Sequence, residues 1–266
     1  MAVDFGNLLA ELRAESTILR GFLSRLREDQ WDQPTPADGW AIRDQVSHLA
    51  YFDDVARLAL TDTHAFAQTA DSLLAKGACF PDVVAEEMRS IGYVELFDWY
   101  VMARDALLST FEGDDPRRRI PWFGPDMSVA SSATGRLMET WAHGQDIYDT
   151  LGVSHPFSPG LKSVAHLGVS TFAWAFHVNE LPVPTEPVRV ELQPPYGDVS
   201  WVWGPADADN RVSGPAEDFV LTVTQRRHWT QTALTVHGPV ATQWMSIAQA
   251  YAGDRGKGND PKATAS

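Results

Sequence analysis

Between residues 136 and 152 the chain reads RLMETWAHGQDIYDTLG. Arg136, Glu139, His143 and Asp146 follow one another at intervals of three, four and three residues. On a helix, at about 100° per residue, these four side chains fall within an arc of roughly 80°. Glu and His four apart can both reach one metal ion, through a carboxylate oxygen and an imidazole nitrogen. Two ligands are too few, so a third has to come from a facing helix. The stretch GWAIRDQVSHLAYFDD (39–54) offers His48, beside the apolar face of Val46, Leu49 and Phe52, with Asp44 one turn earlier. The competing reading makes each histidine a hydrogen-bonded core residue. A buried carboxylate with two histidines is costly unless paired or metal-bound, and both helices aim their ionisable groups inward.

The elements that must position these residues follow from apolar spacing. Residues 4–29 read as a first helix, with Phe5, Leu8, Leu9, Leu12, Leu19, Phe22, Leu23 and Leu26 at three- and four-residue intervals. WDQPTPADGW breaks the pattern. A second helix is expected over 41–60, a polar linker or short helix to Gly77, and a third helical region, in one or two pieces, to Gly113. Residues 114–127 read as loop, with Arg117–Arg119 solvated. The motif helix is expected over 131–151, stopped by Gly152, and a fifth helix over 160–180. After PVPTEP the grammar changes. VRVELQPP, VSWVWG, RVSG and TALTVHG read as strands; PAEDFVLTVTQRR and ATQWMSIAQAYAG read as helices. The expected fold is α+β, mainly α: an up-and-down four-helix bundle over 1–183, a small α+β domain over 184–253, and a disordered tail over 254–266.

Composition narrows the partners. The formal charge is −14, from 21 Lys and Arg against 35 Asp and Glu. That field repels phosphate backbones, so neither nucleic acid nor an anionic membrane is an expected partner. No apolar run approaches the roughly 20 residues of a membrane span. The single cysteine, Cys79, suits a reducing cytoplasm, allows no internal disulfide, and reads as a small apolar filler. Any thiol chemistry would then draw its thiol from elsewhere. Ten tryptophans are enough to line an organic ligand's pocket as well as a core.

TPADGWAIRDQVSHLAYFDD, followed about 90 residues on by RLMETWAHGQDIYDTLG, resembles the mycothiol-dependent maleylpyruvate isomerase family of actinobacteria. These are metal-binding members of the DinB-like helical bundles, with a small C-terminal domain. PWFGPDMSVASSATGRLMETWAHGQDIYD and VSGPAEDFVLTVTQRR resemble an uncharacterised branch of it more closely than the isomerase itself. The resemblance spans about 5–252. It implies zinc, or another divalent metal, held by His48, Glu139 and His143. One position departs: Ala41 stands where such sequences commonly carry a Ser or Thr that caps the second helix. Asp44 is then available either to compensate the helix dipole or to orient a ligand from behind.

Three protein ligands leave one coordination position open. Filled by a thiolate, of which mycothiol is the resemblance's choice, it supports addition to a small electrophile, with isomerisation or thiol transfer as the outcome. Filled by water, it supports hydrolysis. A non-catalytic, metal-stabilised protein that binds a hydrophobic metabolite is the third reading. Arg136 is expected to pair with Glu139, to anchor a substrate carboxylate, or to form a surface ion pair. Asp146 is expected to orient an imidazole or to contact a neighbouring loop. His166 and His177 read as packing residues, and His64, His155 and His237 as loop or turn residues. Arg226, Arg227 and His228 form a basic spot at a helix end, explained by the dipole or by a cofactor's polar groups.

Overall fold

The computed structural model describes residues 4–251. The tail expected over 254–266 lies outside them. The chain divides into two compact units, Met1–Gly160 and Leu161–Ser266.

The first unit is helical. It contains α1 (Phe5–Leu23), α2 (Ile42–Thr61), α3 (Thr63–Leu74), α4 (Phe80–Met88), α5 (Tyr93–Glu112) and α6 (Val129–Thr150). Within the expected 114–127 loop, β1 (Arg119–Ile120) and β2 (Met127–Ser128) form a two-residue antiparallel ladder. Each helix end has a local cause. Asp4 accepts the Asn7 amide (3.1 Å) at the start of α1, and Ser128 accepts the Ser131 amide (3.0 Å) at the start of α6. At the other end of α6, Gly152 takes φ 64° while Val153 N–H reaches Tyr148 O and Gly152 N–H reaches Asp149 O. This doubly bonded left-handed turn satisfies the last carbonyls and stops the helix where the glycine predicts.

Ala41 supplies no side-chain cap to α2. Asp44 supplies the reciprocal half alone, accepting the Ala41 amide at 2.8 Å, and also takes a two-pronged bond from Arg89 (3.0 and 2.9 Å). Asp44 therefore serves the helix start and the α4 end.

Helices α1, α2, α5 and α6 form the bundle around Leu12, Leu19, Val46, Leu49, Leu107, Leu137 and Ile147, all fully buried. Each of α1 and α2 packs against both α5 and α6. The order around the bundle is thus α1–α5–α2–α6. Two long connections permit it: residues 24–41, and the segment carrying α3 and α4.

A buried polar network pins these helices. Asp53 of α2 accepts Arg104 Nε and Nη2 from α5 (2.6 and 3.1 Å) and Arg136 Nε from α6 (2.9 Å). Arg104 Nη1 also donates to Ser16 Oγ of α1 and Thr140 Oγ1 of α6, both at 2.8 Å. All four bundle helices meet here.

The second unit begins earlier than expected, at 161 instead of 184. The anticipated fifth helix is two helices, α7 (Leu161–Ser170) and α8 (Phe172–Val178). They group with the C-terminal residues because α7 packs closely on α9 (Ala216–Val223): a Cβ on Gly168 would lie 2.6 Å from Val223 Cγ2. The sheet comprises β3 (Val188–Gln193), β4 (Trp201–Trp203), β5 (Asn210–Pro215) and β6 (Thr235–His237), in the order β4-β3-β5-β6. Strands β3 and β5 run parallel, with Val190 opposite Val212; the other pairs are antiparallel. α10 (Pro239–Ile247) packs on β5, β6 and α8. α9 stops short of the expected Arg227 because Gln225 adopts φ 60° and the Arg226 amide turns back to Leu221 O.

Replacing Asp53 with alanine would leave two arginines buried without their carboxylate. Asp53→Ala is expected to cost about 3–5 kcal/mol, read as a lower denaturant midpoint at unchanged slope.

Candidate metal centre

Packing α2 against α6 sets His48 opposite Glu139 and His143, which lie one turn apart. Glu139 Oε2 is 3.0 Å from His143 Nε2 and 3.5 Å from His48 Nε2. One donor atom from each residue lies within 4.8 Å of the others. The rings sit close, with centroids 4.5 Å apart. A single carboxylate oxygen facing two imidazole nitrogens is held either by protons or by a cation in their place. Two nitrogens and one oxygen are a donor set that zinc and related divalent ions accept. The residues present therefore fit such an ion.

Aromatic rings enclose the cluster. Trp40 stacks on His143 (5.9 Å, 12°) and lies 5.3 Å from His48; Phe52 borders His48 at 4.6 Å. Phe80 and Phe123 extend that wall from Phe52. Trp40 is itself tethered, its Nε1 donating to Asp82 at 2.8 Å. Behind His143, Gln45 Oε1 meets Nδ1 at 2.5 Å.

These surroundings shift the ionisable groups in opposite chemical senses. Burial, reinforced by the neighbouring His143 and by Arg136, pushes the His48 imidazole down to about 4. Burial by itself would raise the Glu139 carboxyl, but hydrogen bonds from His143 and His48 hold it well below the usual carboxylate range. His48 is thus neutral and Glu139 anionic at neutral pH, the forms that ligate.

The residues singled out from sequence fare differently. His48, Glu139 and His143 converge. Arg136 is neither a surface residue nor a partner of Glu139: it is buried, donating to Asp53 and to Leu49 O (3.4 Å). Asp146 is buried too, but its Oδ2 is 4.0 Å from His143 Nδ1, beyond a hydrogen bond, and Gln45 holds that nitrogen instead. Arg226 and Arg227 lie just past α9 in the second unit, where their Nη1 atoms donate to Thr224 O (2.7 Å) and Arg226 O (2.8 Å). Carbonyls at a helix end attract cations there, as the dipole reading expects. His166 is exposed and accepts Trp203 Nε1 (3.0 Å); His177 is exposed on α8. His64 is in α3 and His237 ends β6. His155 is in a loop, yet its ring stacks on Trp141 (4.7 Å) and faces Glu15 at 3.3 Å. Cys79 is exposed in the turn before α4, so it fills no core position.

Sequence reasoning passed over Gln45, Asp53 and Arg104. Their signal was present: each is a polar residue on an apolar helical stripe, Gln45 beside Val46 and Leu49, Asp53 four after Leu49, and Arg104 between Tyr100 and Leu107.

Among known proteins, the model described as the mycothiol maleylpyruvate isomerase N-terminal domain matches residues 12–148, and one described as wyosine base formation matches 184–237. Uncharacterized proteins of Mycobacterium tuberculosis, from strains CDC 1551 / Oshkosh and ATCC 25618 / H37Rv, are 47% identical over 259 residues. That covers 96% of this chain and 99% of each relative. The crystal structure of the mycothiol-dependent maleylpyruvate isomerase superposes with a TM-score of 0.59 at 12% identity, over 90% of this chain and 96% of that one. A mutant of that isomerase gives 0.60 over the same coverage. At such identity the likeness is one of fold.

Acid should weaken the metal-free protein. Below pH about 6.5 the unfolded His48 takes a proton that the folded one refuses down to about 4, so stability falls as pH falls through that window. Glu139, with its depressed folded value, adds a loss of the same sign at lower pH. Between about pH 7 and pH 5 the His48 contribution is on the order of 2 kcal/mol. Urea midpoints at the two pH values, on wild type and His48→Leu, measure it; the variant should show the smaller drop.

Proposed function

The chain belongs to the mycothiol maleylpyruvate isomerase family, and from that premise we propose that it is a metal-dependent enzyme using a low-molecular-weight thiol to attack a small electrophile. The observation that supports it is the convergence of His48 and His143 on one oxygen of Glu139. A divalent cation held there, zinc by preference, supplies a Lewis acid that keeps a thiol sulfur ionised at neutral pH.

The chain's own residues do the rest. His48, neutral because burial disfavours its charged form, needs no deprotonation to act as a ligand. Glu139 offers its negative charge without a proton to displace. Trp40 and Phe52 flank the imidazoles, limiting water and offering apolar faces to a small conjugated substrate. Arg136 acts through Asp53, holding the α6 turn that carries Glu139, and its charge disfavours a proton on His48. Asp146 is assigned a supporting part on the same helix. Arg226 and Arg227 are the proposed contacts for the cofactor's polar groups.

A low-molecular-weight thiol, mycothiol in this family, would supply the sulfur nucleophile for addition to a conjugated double bond, with isomerisation or thiol transfer as the outcome. The proposed compartment is the cytoplasm. No helix among the described residues is long and apolar enough to cross a membrane.

Elemental analysis of purified wild type, His48→Ala, Glu139→Ala and His143→Ala tests the centre. About one divalent ion per wild-type chain is expected, largely lost from each variant; full occupancy in all three would sink it. Mycothiol-dependent turnover across a panel of conjugated electrophiles tests the chemistry. Cleavage of an activated ester by metal-loaded protein without thiol would assign it to the hydrolases instead.

A further inference from the structure

His143 is held by a chain of hydrogen bonds that runs back to the loop before α2. The Trp40 carbonyl can only accept, so the Thr35 hydroxyl, 2.9 Å away, donates to it. The Thr35 oxygen then accepts from Gln45 Nε2 at 2.8 Å. With its amide nitrogen so engaged, Gln45 turns Oε1 to His143 Nδ1. An amide oxygen only accepts, so Nδ1 carries a ring proton and Nε2 is the ring nitrogen left to face a cation. Nε2 is the atom that faces Glu139 Oε2. Gln45 is 0% exposed, so no water can take the place of its side-chain bonds once they are removed.

From this polarity we propose that Gln45, oriented by Thr35, is a positioning residue that presents His143 Nε2 as a ligand. The consequence for metal affinity rests on the metal-centre reading above; the Nδ1 proton is argued from the Gln45 contact. The same short loop clamps the imidazole twice, through Thr35 and Gln45 at its edge and through the Trp40 ring on its face. Helix α2 thus contributes both a ligand, His48, and the group that orients the ligand opposite.

The test pairs two readouts on wild type, Gln45→Leu, Thr35→Val and Thr35→Ser. Nitrogen-15 NMR of the His143 ring in metal-free protein reads whether Nδ1 carries a proton. Competition between protein and a chromophoric chelator for Zn²⁺ reads affinity. Wild type should show the proton on Nδ1. Gln45→Leu should admit the other tautomer and weaken zinc binding about 10- to 100-fold. Thr35→Val should move both readouts the same way by less, and Thr35→Ser should restore them. Retention of the Nδ1 proton and of wild-type zinc affinity in Gln45→Leu and Thr35→Val would overturn the proposal. If wild type binds no zinc, the metal reading falls, and the NMR comparison still decides the role of Gln45. If Gln45→Leu does not fold by circular dichroism, the Thr35 pair, in a half-buried loop, decides it.

Discussion

One carboxylate organises the bundle. Asp53 is fully buried between Arg104 and Arg136, and through Arg104 the network reaches Ser16 and Thr140. Apolar contacts hold helices together but leave their axial register loosely specified, because one leucine fits many grooves. A buried carboxylate with two guanidinium partners has far fewer acceptable positions, since each misplaced bond exposes a desolvated charge. Register between α2 and α6 is what the clustering of His48, Glu139 and His143 depends on. His48 lies five residues before Asp53, and Glu139 three after Arg136, so the Asp53–Arg136 bond and the His48–Glu139 approach are two contacts across one interface.

The electrostatics follow from that placement. Burial disfavours protonating His48, and the neighbouring His143 and Arg136 add to the effect. Glu139 stays ionised because two imidazoles bond to it. A stable bundle has no need of such an assembly, since apolar residues of similar volume would pack without the desolvation cost.

The chain is a member of a family whose fold is a DinB-like helical bundle followed by a small α+β unit, and the mainly helical α+β structure agrees. Within that frame the second unit claims α7 and α8, because the small face of Gly168 lets α7 sit tightly on α9. Periodicity marks the helices in 161–178 but says nothing about which core they join. That is a property of the surfaces they meet. The order of helices around the bundle is of the same kind: long connections at 24–41 and 62–92 allow several orders, and only side-chain packing selects one.

Sequence alone carried much of the local structure and the candidate cluster. The stop of the motif helix was written in Gly152, and the Glu139–His143 spacing put both side chains on one face because the helical repeat requires it. His48 was legible as their candidate partner because its helix had a clear apolar stripe. Tertiary structure decided the roles of the polar residues between. Arg136 shares the stripe of Glu139 yet points to Asp53, and Asp146 yields the His143 Nδ1 position to Gln45, a residue 98 positions away. Spacing along one helix says which side chains share a face. Which partner each one takes depends on distances of a few ångströms across a helix–helix contact, and those are set only when the whole bundle packs.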